Sequence, residues 1–256
     1  MTRGIALVRR PSGRLAEGLV THIERSDVDV ALARRQHEAY RAALAQANWR
    51  VREVAPADHC PDSVFVEDTV VVCGDLAVIT RPGAPQRRPE IPGTEKAARD
   101  AGLEVVRIEA PATLDGGDVL QVGTAVYVGR GGRTNGEGVS QLRDHLTTRG
   151  RSVIPVPLRD VLHLKSAVTA LPDGTLLALP ELLDVAALRQ PVHAVEEESG
   201  CHVVPLGDDL VLMAASAPRT AAFVADLGFT PVVVDISEYE KLEGCVTCLS
   251  VLIPEL

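Results

Sequence analysis

The sequence predicts an α/β fold arranged as a closed ring of five similar units, sealed where the two ends of the chain pair. Three observations carry this. Short apolar strand pairs recur along the chain, four of them with a Gly-containing turn between the strands. Each pair is followed by a helical stretch and then by one more strand. One strand is left over at each terminus.

The elements follow in order. "GIALVRRP" reads as the first strand. Val30 to Ala47 reads as a helix, with Leu32, Tyr40 and Leu44 at helical spacing, and "RVREVAPA" as the strand after it. The pair "DTVVVCGDLAVITRP" turns at Gly74-Asp75 and is followed by the helix "TEKAARDAG" and the strand "LEVVRIEAP". "DVLQVGTAVYVGR" turns at Gly123-Thr124, then comes the helix "GEGVSQLRDHLTTRG" and the strand "SVIPVPL". "SAVTALPDGTLLALP" turns at Asp173-Gly174, with a helix expected over "ELLDVAALRQ" and a strand over "VHAVEEE". "CHVVPLGDDLVLMAA" turns at Gly207-Asp208, with helix "APRTAAFVADLG" and strand "TPVVVDIS". Helices that end at Gly carry the residue that terminates them most easily. "TCLSVLI" is the last strand. Paired with "GIALVRRP" it completes the fifth unit, which gives a five-bladed α/β propeller spanning residues 1–256 as a single domain. An open sheet would leave both end strands without a partner.

A ring gathers equivalent loops at one end of its axis. The loops from each third strand to the next pair are "DHCPDSVFVED", "ATLDGGD", "RDVLHLKS", "EESGCH" and "EYEKLEGCVTC". They hold Asp62, Glu67, Asp68, Asp115, His163 and Cys248, so a separation of nearly two hundred residues is no obstacle to contact.

Composition narrows the guest. Net charge is −9 and aromatics are 3% of residues, which argues against nucleic acid and anionic membranes as partners. The same charge suits a cation. No signal peptide or membrane span is visible, and five scattered cysteines do not form a disulfide framework, so a cytoplasmic location is expected. Cys245-Val-Thr-Cys248 leads into a strand rather than a helix, against a thioredoxin-like site, and lacks the second ligand pair of a zinc ribbon. Cys248 stands at the loop-to-strand junction, which favours exposure at the axis over an inert core thiol. His163 in the equivalent loop is either its partner in a Cys–His pair or a structural histidine; Cys245 reads as a bystander. The acidic loops would repel one another unless a cation sits among them, and a guanidinium matches carboxylates bidentately. "RPGAPQRRP" and "GRGGRTNGEG" are basic, and an Arg from each could clamp a carboxylate.

Together, "PDSVFVEDT", "ITRPGAPQRRPE", "TLDGGDVL", "RTN", "VLHLKS" and "TCLSVLI" resemble the dimethylarginine dimethylaminohydrolase family of the guanidine-modifying pentein superfamily. The resemblance spans the chain, and the superfamily's five-bladed propeller agrees with the repeats. It implies Cys248 as nucleophile, His163 as general acid/base, and Asp68 and Asp115 as holders of the guanidinium, Asp115 belonging to the catalytic set. It further implies Glu67 as support for the same site, Arg87 and Arg133 on the substrate α-carboxylate, and Asp62 with the main chain at Leu19 and Leu242 on the α-amine. The substrate is then a small methylated arginine, with no cofactor and no metal, in a monomer or homodimer. Two rivals are a deiminase acting on arginine or agmatine, and a non-catalytic binder of cationic amino acids.

Overall fold

The computed structural model describes residues 2–255. Strands β1 (Gly4–Val8) and β2 (Trp49–Glu53) flank helix α1 (Val30–Gln46). The first complete blade holds β3 (Val70–Cys73), β4 (Leu76–Ile79) and β5 (Glu104–Arg107), with α2 (Ile91–Asp100) between the last two. The second holds β6 (Val119–Val122), β7 (Ala125–Arg130) and β8 (Ser152–Pro157), with α3 (Gly136–Thr147). The third holds β9 (Val168–Ala170), β10 (Leu176–Ala178) and β11 (Val192–Ala194). The fourth holds β12 (Val203–Gly207), β13 (Leu210–Ala214) and β14 (Thr230–Val234), with α4 (Pro218–Asp226) and then a short α5 (Ser237–Glu240). Finally β15 (Val251–Pro254) pairs antiparallel with β1, from Gly4 opposite Pro254 to Leu7 opposite Val251, and closes the ring.

Every blade repeats one pattern: an antiparallel pair, then a crossover to a strand parallel to the middle one. The turn glycines Gly74, Gly123 and Gly174 sit at φ between +57° and +86°, where a side chain would be strained. The inner strands β3, β6, β9, β12 and β15 line an axial cavity of about 330 Å³ with Val70, Leu120, Thr169, Val204 and Val251 among its walls. Apolar residues between adjacent blades and under the helices form the core, as in the cluster of Tyr40, Leu44, Trp49, Phe65 and Leu249.

Two expectations change. The helix over "ELLDVAALRQ" is absent; only a 3-10 turn, Val185–Ala187, forms there. Leu182 and Leu183 are diverted into pairing with Arg159 and Leu158, and Asp184 caps only at Ala186, too close to Pro191 for an α-helix to grow. The last strand does not begin at Thr247. Val246–Leu249 is a 3-10 turn, and Cys248 rides on it.

That turn has counterparts. Short 3-10 turns at Val66–Thr69, Gly116–Asp118, Leu164–Ser166 and Glu198–Cys201 occupy the same place ahead of the inner strand in the other four blades. Five such turns ring one mouth of the axis, and the candidate residues stand on or beside them.

Candidate active site

A small pocket at this mouth is lined by Leu19, Asp62, Phe65, Asp68, Arg87, Arg133, Leu162, His163, Leu242, Glu243, Gly244 and Cys248. Eight of the ten residues expected from the sequence therefore converge directly. Asp115 stands one hydrogen bond behind, and Glu67 faces the axial cavity instead. The pocket volume is about 20 Å³, room for about one water. In the segment carrying Leu19, Leu19 N–H donates to Asp62 Oδ1 at 3.0 Å, and Thr21 and His22 donate main-chain N–H groups to Glu243.

His163 is buried with Nε2 3.0 Å from Asp115 Oδ2 and Nδ1 3.8 Å from Asp68 Oδ1. Burial works against its charge, but Asp68, the Asp115 hydrogen bond and Asp118 outweigh it and push the imidazole up to about 9. His163 is thus an imidazolium at neutral pH. Asp68 is held at about 2: burial opposes ionisation, while His163 and Arg87 favour it and Gly117 N–H donates to Oδ1 at 3.0 Å. Among the described residues, Asp68, Asp115 and His163 bring one donor atom each within 4.8 Å of one another, and the ring's own charge accounts for that grouping. Asp115 also accepts from Gly83 N–H at 2.8 Å.

The two glycines of "LDGGD" are required by proximity. A Cβ on Gly116 would come 2.0 Å from Glu67 O, and one on Gly117 would come 2.8 Å from His163 Nδ1. Only a bare backbone lets these turns approach one another.

Arg87, expected from a basic loop to clamp the α-carboxylate, is buried. Its guanidinium binds Asp68, donates to Glu90 through Nε and Nη2 at 3.0 and 2.9 Å, and reaches the carbonyl oxygens of Asp62 and Phe65. Arg133 is freer, 3.7 Å from Asp115 with 12% of its side chain exposed.

Asp118 belongs to an acidic loop expected at the mouth and counts among its carboxylates, whereas Glu90, Lys165 and Thr134 escaped the sequence reading. Asp118 accepts from Thr134 Oγ1 at 2.6 Å and from Leu164 N–H at 3.0 Å behind His163, and burial raises it to about 6. Glu90 anchors Arg87, and Lys165 pairs with Glu67. Cys245, read from the sequence as a bystander, has its Sγ 3.3 Å from Cys248 Sγ. A charged partner near each expected acid was the available signal for Lys165 and Glu90. Nothing in the order of residues pointed to Thr134.

No family model matches the chain. Over 98% of its length it is 60% identical to N(G),N(G)-dimethylarginine dimethylaminohydrolase of Streptomyces coelicolor, covering 97% of that protein. It is 38% identical to the Pseudomonas aeruginosa protein of the same name, over 95% of this chain and 97% of that one. This chain belongs to the dimethylarginine dimethylaminohydrolase family. Among solved structures, it superposes on a Pseudomonas aeruginosa dimethylarginine dimethylaminohydrolase, a cysteine-to-serine mutant complexed with citrulline, with a TM-score of 0.90 at 35% identity over 99% of this chain and all of that one. A dimethylarginine dimethylaminohydrolase adduct with S-methyl-L-thiocitrulline gives 0.91 at 33% identity, over 98% of this chain and all of that one. The family's five-bladed α/β propeller is the fold described above. No helix of the described residues is long and apolar enough to cross a membrane.

Proposed function

We propose that this chain hydrolyses Nω-methylated arginines, asymmetric dimethylarginine and monomethylarginine, to citrulline and dimethylamine or methylamine through a covalent intermediate on Cys248. The observation that carries the reading is one pocket holding a thiol, a carboxylate kept ionised and an imidazolium: Cys248, Asp68 and His163. A substrate guanidinium beside Asp68 presents its central carbon to the sulfur. Attack by the thiolate on a cation yields a neutral tetrahedral adduct, so no oxyanion develops and carboxylates suit the site.

His163 then donates a proton to the departing amine. Its Nε2 is occupied by Asp115, while Nδ1 lies beyond hydrogen-bond distance of Asp68 and is available to the leaving group. Loss of the amine leaves an S-linked thiouronium. The now neutral His163 takes a proton from water as it attacks, and the tetrahedral adduct collapses to citrulline and the thiolate, its remaining hydroxyl proton passing through solvent to the departed amine. Asp115 and Asp68 hold the guanidinium and the ring, with Glu67 supporting them. Asp62 and the main chain at Leu19 and Leu242 receive the α-amine, and Arg133 with Arg87 receives the α-carboxylate. Phe65 and Leu162 supply apolar lining for the methyl groups. Next to the pocket, across Leu162, Glu243 and Gly244, a cleft of about 600 Å³ carries Asp160, Glu181, Glu196, Glu198 and Glu240 and favours approach of a cation. The reading keeps residues 1–256 as one catalytic unit, in the cytoplasm, as a monomer or homodimer.

The test is to incubate the protein with asymmetric dimethylarginine, monomethylarginine, arginine and agmatine, and to quantify citrulline, amines and ammonia separately. Equal dimethylamine and citrulline, with little ammonia from arginine, is the expected result. An apolar wall that leaves two arginine N–H donors unpaired costs about 1–3 kcal/mol each. Discrimination of about a hundredfold or more in kcat/KM follows. Faster ammonia release from arginine or agmatine would move the chain to the deiminases. Cys248→Ser removes turnover on every substrate.

A further inference from the structure

We propose that Cys245, Thr247 and Glu67 form a proton relay that ionises Cys248 when the guanidinium arrives; the inference rests on Cys248 being the nucleophile of the proposed reaction. Four groups make an unbroken chain. Cys248 Sγ lies 3.3 Å from Cys245 Sγ, Cys245 Sγ lies 3.3 Å from Thr247 Oγ1, and Thr247 Oγ1 donates to Glu67 Oε2 at 3.0 Å. The thiol and hydroxyl in the middle each donate and accept, as a relay requires. Backbone geometry creates the first contact: Cys248 N–H donates to Cys245 O at 3.1 Å, closing the 3-10 turn. Side chains three apart on such a turn eclipse one another.

The chain leads away from the substrate. Cys248 lines the catalytic pocket, whereas Glu67, Thr247 and Lys165 line the axial cavity on the other side of the turn. The proton therefore leaves by a path the substrate does not block.

Ionisation proceeds in two hops. The Cys245 proton passes to Thr247 Oγ1 as the Thr247 proton passes to Glu67 Oε2. The Cys248 proton then crosses to Cys245. The sum converts a Cys248 thiol and a Glu67 carboxylate into a Cys248 thiolate and a Glu67 carboxylic acid, with no proton gained or lost. The groups facing this chain agree with it. The sulfur of Cys245, burial, Glu67 and Asp68 all hold the proton on Cys248 in the free site, and a cation beside Asp68 relieves part of that. Burial raises Glu67 to about 7 even with Lys165 against it, so it can hold a proton at neutral pH. Cys245 is held low, first by the hydrogen bond from Cys248 and then by His202 of the fourth blade, against burial and Glu240, and Tyr40 stays a neutral phenol.

The experiment is alkylation of the substrate-free protein, under reducing conditions, by a haloacetamidine. This reagent combines a guanidinium-like cation with an electrophilic carbon. Rates are followed against pH, and the labelled peptide is identified by mass spectrometry. Wild type, Cys245→Ala, Cys245→Ser, Thr247→Val and Thr247→Ser are compared, with melting temperatures recorded alongside. The expected result is that Cys248 is labelled throughout. Thr247→Val, which breaks the chain and leaves the sulfur pair in place, shifts the profile alkaline by about one pH unit, which is about tenfold in rate at neutral pH. Cys245→Ala slows labelling at neutral pH even though it also removes the sulfur that holds the proton on Cys248. Cys245→Ser and Thr247→Ser, which keep a hydroxyl in the chain, stay near wild type. Superimposed profiles for all five proteins would overturn the relay and leave the proposed reaction standing. So would Cys245→Ser behaving as Cys245→Ala, since the sulfur would then only fill space. A label found on Cys245 in wild type would overturn the nucleophile assignment, and the proposed function with it.

Discussion

Arg87 and Arg133 show how one residue type takes two roles through burial. Both line the pocket, but Arg87 has most of its donors committed to Asp68, Glu90 and two carbonyl groups, whereas Arg133 has one distant carboxylate neighbour. Arg133→Ala is expected to lose one charge-assisted contact to the α-carboxylate. That costs about 1.5–3 kcal/mol, roughly ten- to a hundredfold in kcat/KM on amino-acid substrates. Agmatine, which has no carboxylate, should be spared, and parallel assays on the two substrate types check this. Arg87→Ala strands Glu90 and Asp68 as buried carboxylates. A loss of about 3–5 kcal/mol in stability follows, visible in denaturant unfolding. An Arg87→Ala protein as stable as wild type, with amino-acid turnover alone reduced, would show that Arg87 serves mainly the carboxylate. The sequence supplied both arginines as basic-loop candidates. Their different burial arises from Glu90 and from the turn at Val66–Thr69, which no local pattern joins to them.

At the scale of elements, α3 is tied to the site by its cap. Asn135 Oδ1 accepts from Gly138 N–H at 2.8 Å and from Thr113 N–H at 3.0 Å. One side chain thus ends the helix and holds the strand-to-turn segment that leads into Asp115. Arg133 and Thr134 lie immediately ahead of it in the chain. Asn135→Ala should cost about 1 kcal/mol from the cap alone. Because Thr134 and Arg133 loosen together, KM should rise more than kcat falls. Steady-state kinetics beside a thermal melt would check this; a melting shift with KM unchanged would confine Asn135 to the helix. The cap was not read from the sequence, and its second bond, to Thr113, has no local signature. Nor was the missing helix at "ELLDVAALRQ" legible, where pairing with a neighbouring segment overrode a favourable helical composition.

For the whole molecule, stability should peak near the usual histidine pKa. His163 rises from 6.5 to about 9 on folding, so its contribution is complete below pH 6.5 and is lost as pH climbs through 9. His37, on α1, has both ring nitrogens buried without a hydrogen-bond partner among the described residues, and burial lowers it to about 4. It folds as the neutral ring, so stability is complete above 6.5 and declines as pH falls towards 4. Each limb is worth roughly 3 kcal/mol at one pKa unit per 1.36 kcal/mol. The His163 gain and the lowering of Asp68 describe one shared interaction and are not added. Melting temperature should therefore form a dome over pH, with His37→Leu flattening the acid side and His163→Asn the alkaline side. An unchanged acid side in His37→Leu would mean that another group governs it.

The sequence by itself determined the five-fold repeat, the closing of the ring by its ends, and the reading of the acids and of Cys248 with His163 as one guanidine-handling site. These follow from alternation, turn glycines and short motifs, all of which act over a few residues. Only the tertiary structure decided what each group's neighbours do to its charge. It set Asp118 and Asp115 around His163, buried Arg87, turned Glu67 towards the axis with Lys165, and placed Cys245 against Cys248. The physical reason is that charge state depends on burial and on partners a few ångströms away. In a closed ring those partners come from different blades, and no local pattern in the chain records which of them meet.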